Sequence, residues 1–138
     1  MKKTAKQVEG DVYTILKAST LPTTIKGGML RGENSRPVLQ VTEDAVVSFM
    51  TGMDGQEQIG VVTVNVYVPH IDNGEVTLKQ DAKRCEAIEA LLSGIIDEMD
   101  ADSDEYEFDL QNMIQSFIVE GIDQSRVNAQ IHFRRTTL

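Results

Sequence analysis

The chain has 138 residues, 41% of them hydrophobic and 25% charged, so it is long enough to bury a core and too apolar for global disorder. Its formal net charge of -9 argues against tight binding to a phosphate backbone, which needs a positive footprint. No apolar run reaches the roughly 18 residues that would span a bilayer, and Cys85, the single cysteine, leaves no intrachain disulfide.

Met1 to Tyr13 carries basic residues without the apolar stretch of a signal peptide. One cysteine and no such stretch make a reducing, intracellular compartment the default expectation. Thr4-Ala-Lys-Gln7 fits a capping box. Val8, Val12, Ile15 and Leu16 then recur at helical spacing, which predicts a helix from Ala5 to Ala18 that Ser19, Thr20 and Pro22 stop. Gly10 is its one weak point.

The glycines of TTIKGGMLRGENSRP predict a short strand near Ile25 to Leu30 running into a loop. Val38 to Thr42 reads as a weaker extended segment. Ala45 to Met53 is rich in strand formers, and Asp54-Gly55 is a favoured hairpin pair. From Ile59 to Val68, Val62, Val64, Val66 and Val68 share one face while Thr63, Asn65 and Tyr67 take the other. That polar second face fits a sheet covered on one side only.

Asp81 caps a second helix with Ala82, Cys85, Ile88, Leu92, Ile95 and Met99 on its apolar stripe. Asp97 to Asp109 follows with eight carboxylates and no base, and reads as a solvated acidic loop. Met113 to Glu120 alternates, with Ile114 and Ile118 on one side and Met113, Gln115, Phe117 and Val119 on the other. A turn at Asp123 to Ser125 leads to a last strand with Val127, Ala129, Ile131 and Phe133 inward and Arg126, Asn128, Gln130, His132 and Arg134 outward. The predicted order is α-β-β-β-α-β-β: a single α+β domain over residues 1–138, its mostly antiparallel sheet carrying two helices on one face.

The acidic segment fails as a calcium loop. Counted from Asp100, the position that needs glycine is Glu105, and the one that needs a bidentate glutamate is Gln111. Gly27 to Gly32 has P-loop glycine spacing, but Glu33 and Asn34 stand where Lys and Ser or Thr belong. Cys85 falls on the core stripe, and nothing in the sequence gives His70 or His132 a partner. No catalytic residue, metal site or cofactor is expected.

Charge is uneven. Residues 1–36 hold seven bases against three acids. Two solvated faces would account for that. So would a contact in which the basic Lys26, Arg31 and Arg36 of one copy meet the Asp100, Asp102, Asp104 and Glu105 of another. Those seven are the candidate assembly residues.

An N-terminal helix, a glycine-containing turn with Arg36-Pro37, the polar hairpin DGQEQIGVVTVNVYVP and a helix opening DAKRCEAIEALL follow one another. The layout resembles the tail completion and tail terminator proteins of long-tailed bacteriophages. The resemblance spans nearly the whole chain in element order, and the long acidic segment departs from it. It implies a homo-oligomeric ring, a hexamer, at the joint between head and tail, in a virion assembled in a bacterial cytoplasm. The implied partners are further copies of the chain, the neighbouring connector and tail-tube proteins, and DNA passing through the lumen without tight binding; no membrane is involved. Another head–tail connector or head-completion subunit, and a small cytoplasmic enzyme, are the alternatives.

Overall fold

A computed structural model of the chain describes residues 1–37, 40–72, 74 and 78–137. Helix α1 runs from Ala5 to Ala18. Its capping box is formed: the Gln7 N–H donates to the Thr4 hydroxyl, and the Thr4 N–H donates to the Gln7 side chain. Pro22 does more than stop this helix. It lies in the first turn of the short helix α2, Leu21–Thr24, where its missing N–H is no loss.

The predicted strand at Ile25 to Leu30 begins four residues later, as β1, Met29–Arg31. Ile25 instead ends α2 and is buried. Gly27 is held against the backbone carbonyl of Glu43 and the Asp44 carboxylate, where a Cβ would stand 2.4 Å from Asp44 Oδ1. Such close approach leaves room only for glycine. Of the weaker extended segment, Val38 and Leu39 lie outside the described residues, and Gln40 to Thr42 form no strand.

Strands β2, Ala45–Met53, and β3, Glu57–Pro69, pair as the Asp54-Gly55 hairpin predicts, with a bulge between Phe49 and Thr51. Helix α3, Ala82–Asp102, starts at Asp81, whose carboxylate accepts the Arg84 N–H. β4, Glu107–Leu110, and β5, Gln115–Ile118, both pair with β6, Gln124–Thr136. The sheet order is β1-β2-β3-β6-β4, with β5 beside β4 along the same side of β6. Among the described residues only the β1–β2 pairing is parallel. The fold is therefore α+β and mostly antiparallel.

The inward valines of β3 and the apolar side of β6 meet Val8, Val12 and Leu16 of α1 and Cys85, Ile88, Leu92, Ile95 and Met99 of α3 in one core. The other face of the sheet is polar. There Asn128 donates to Asn65, and Arg36 stacks over Tyr67 at 4.1 Å.

The acidic segment is not a loop. Asp97 to Asp102 are the end of α3, because Met99 continues its buried stripe, and β4 begins at Glu107. Tyr106 and Phe108 alternate into the core, where Tyr106 stacks on Phe108 at 5.1 Å and meets the edge of Phe133 at 6.2 Å. β5 also departs from expectation. Both Phe117 and Ile118 are exposed, while Ile114 packs against the core.

Candidate functional site

Lys26, Arg31 and Arg36 do not form one free basic surface. Arg31, at the end of β1, donates from Nε to Glu9 at 3.1 Å and from a terminal nitrogen to the Lys6 carbonyl. Gly10 makes this approach possible, since a Cβ there would stand 3.0 Å from the guanidinium. The weak point of the helix is thus where an arginine crosses it. Arg36 donates from Nε to Asp44 at 3.1 Å and from a terminal nitrogen to the Thr42 carbonyl. Its side chain is only 9% exposed and that of Asp44 4%. Both arginines bind carboxylates of their own chain, Arg36 from a buried position and Arg31 with its side chain 42% exposed. Lys26 is exposed, and its backbone N–H donates to Glu43.

Three buried carboxylates organise this region, and none stands out by spacing. Glu9 accepts the Phe49 N–H, tying α1 to β2 just past the point where β1 ends. Burial alone would raise its pKa; the Phe49 N–H, Lys6 and Arg31 outweigh burial and hold it below the usual glutamate value. Glu43 takes two nitrogens of Arg84 at 2.9 and 2.6 Å, which joins the segment before β2 to the first turn of α3. Those bonds to Glu43 raise the Arg84 pKa. Asp44 accepts the Gly28 N–H, the Thr42 hydroxyl and Arg36.

The acidic candidates divide in the same way. Asp100 accepts the Phe108 N–H and so fastens β4 to α3. Glu105 lies between Arg135 at 3.0 Å and Lys3 at 2.8 Å. Arg135 donates on to the Met1 carbonyl and to Gln58. Lys3 also meets Asp11, which accepts the Tyr106 hydroxyl at 2.6 Å. Burial opposes the Lys3 charge, but Asp11 and Glu105 outweigh it and raise its pKa. Burial pushes the Tyr106 phenol well above its ordinary value, and its bond to Asp11 adds to that. This network joins both ends of the chain to α1, β3 and the α3–β4 connection. Asp102 and Asp104 are exposed. Asp97, Glu98, Asp102, Asp104 and Glu107 have no cation partner among the described residues. The basic and acidic candidates are not brought together within one chain.

His70 acquires a partner that the sequence did not reveal: its Nε2 lies 3.2 Å from the Ser125 hydroxyl. Ser125 is fully buried, out of reach of a substrate, and His70 Nδ1 is buried with no hydrogen-bond partner among the described residues. The pair therefore lacks both access and the orienting acid of a nucleophilic triad. Cys85 is buried, and burial pushes its thiol pKa up, away from the reactive thiolate. Among the described residues no group of three or more His, Cys, Asp or Glu side chains is placed to hold a metal ion, and no helix is long and apolar enough to cross a membrane.

No protein-family model and no curated protein matches the chain.

Proposed function

We propose that the chain is a structural subunit of a long-tailed phage virion, a tail completion or tail terminator protein whose copies close into a ring at the head–tail joint. The observation that carries this reading is the long β2–β3 hairpin, residues 45–69, on a sheet whose helices cover one face and leave a polar face open. It is the element through which the chain most resembles that family. The charge distribution supports the same reading. With a net charge of -9, the protein does not grip DNA, and an acidic lumen lets a duplex slide through. The carboxylates at the end of α3 that have no cation partner among the described residues are available to a neighbour.

Imaging the native particle tests this. The expected result is a ring of identical copies with rotational symmetry where the tail meets the head, with the hexamer as its form. A lone copy, or density for this chain elsewhere in the virion, overturns the reading. Portal, capsid and tail-tube genes are the expected neighbours of its gene.

A further inference from the structure

Two surfaces of this molecule are unlike each other and complementary. A groove of about 420 Å³ lies between the C-terminal halves of α1 and α3. Ile15, Ala18, Ile95 and Met99 give it an apolar lining, and Glu98 and Asp102 stand at its acidic side. Glu98 and Asp102 are four residues apart on α3, and the last turn of that helix carries no basic residue. Like charges at that spacing repel, and carboxylates oppose the negative end of the helix dipole. This acidic rim therefore works against the helix that bears it.

The second surface is the β5 edge. No strand pairs with the outer side of β5 among the described residues. Just before the strand Met113 is 85% exposed; within it Ile118 is 66% exposed on the helix side, and Phe117 is exposed on the opposite, polar side. An open strand edge with exposed apolar side chains on both of its faces is a hazard that soluble proteins cover or blunt. Arg126 lies over the Phe117 ring at 5.8 Å. Its Nε is buried without a hydrogen-bond partner, and it has no ion pair among the described residues. An apolar edge with an unpaired cation complements an apolar groove with unpaired carboxylates.

We propose that each copy seats the β5 edge of the next, Met113, Phe117 and Ile118, in its α1–α3 groove, with Arg126 facing Glu98 and Asp102. This rests on the ring reading and names its interface. The two surfaces differ, so the contact is heterologous and repeats around a closed ring. An aromatic residue and an arginine at its centre are the residue types that dominate interface energies.

Cross-linking tests the contact directly. Ala18→Cys and Ile118→Cys are made separately; Cys85 is buried and stays silent. A short bismaleimide is expected to join a mixture of the two variants into dimers at high concentration, and neither variant alone. Dimers from either variant alone that match the mixture, or none in any sample, overturn the inference. A charge exchange gives a second readout. Arg126→Glu should weaken self-association, measured by sedimentation, by roughly tenfold or more. Adding Glu98→Arg and Asp102→Arg to the same chain should restore it. Association untouched by Arg126→Glu overturns the interface and leaves the ring standing. A particle without a symmetric ring overturns the ring and leaves the cross-linked contact as a measured fact.

Discussion

Glu9 sits on the inward side of α1 at 2% exposure, and it is ionised there because three donors surround it. Its folded pKa lies below the ordinary value of 4.5, so the unfolded chain takes up the proton first. Its contribution to stability is complete above that ordinary value and is lost as pH falls through the lower, folded one. Glu9→Gln should therefore melt lower than the wild type at pH 7, and its Tm should fall less on acidification below about pH 4.5. Parallel Tm–pH curves for the two proteins would show that Glu9 is not the group responsible. Arg36 gives a test that needs no titration. Removing one member of a buried ion pair typically costs about 3 to 5 kcal/mol. Asp44 keeps the Gly28 N–H and the Thr42 hydroxyl, so Arg36→Ala should fall at the low end, about 3 kcal/mol, or a Tm loss of roughly 10 °C. A loss under roughly 2 °C would mean the guanidinium is a solvated surface charge. Neither role was legible in the sequence. Glu9 and Arg31 are 22 residues apart, Arg36 and Asp44 are 8 apart, and no local spacing rule connects such pairs.

At the scale of elements, period and caps were strong signals wherever one side of an element is buried. α1, β3 and β6 follow from alternation or helical spacing, because in each the apolar side faces the same core, and β2 from its run of strand formers before the Asp54-Gly55 turn. β4 had a signal too. Tyr106, Phe108 and Leu110 alternate with Glu105, Glu107 and Asp109, but eight carboxylates in a row of thirteen residues drew the reading toward solvent. The aromatic period, not the charge density, decided the structure, since each Phe or Tyr buries far more apolar surface than a solvated carboxylate opposes. β5 misled in the other direction. Its alternation is real, but α3 covers it only in part: Ser116 donates to Glu89 of α3 while Ile118, on the same side, stays exposed, so periodicity could not say which face is inside. β3 offers the sharpest test of register. Val64 is fully buried against Ala129, and Asn65 faces the polar side, accepting from Asn128. Val64→Asp should unfold the domain, because an unpaired buried carboxylate costs several kcal/mol against a total stability of about 5 to 15. Asn65→Asp keeps the acceptor that Asn128 uses and should melt near the wild type. A stable Val64→Asp together with a collapsed Asn65→Asp would require the strand to be shifted by one residue.

For the whole molecule, the charge asymmetry read from the sequence divides into two populations. One is consumed inside the chain: Arg31, Arg36, Arg84 and Arg135 each meet a carboxylate, and Lys3 joins Asp11 and Glu105. The other is left over, and it lies mainly at the end of α3 and in the connection to β4. Electrostatics of the isolated chain give no reason for it. Each exposed carboxylate near a helix C-terminus is unfavourable by roughly 0.3 to 1 kcal/mol, and the Glu98–Asp102 spacing adds roughly 0.2 to 0.5. Selection for stability alone would replace Asp102 with a base. Folding and assembly therefore make opposite demands on this position, and a single substitution separates them. Asp102→Lys should raise the Tm of the dilute, unassembled chain by a few degrees, because it complements the helix dipole and forms a favourable pair with Glu98. The same change should weaken self-association, and added salt should mask the difference between the two proteins. A higher Tm with assembly unchanged would leave the acidic rim facing the lumen or solvent rather than a neighbouring copy. An unchanged or lower Tm would mean that Asp102 has a partner on its own chain.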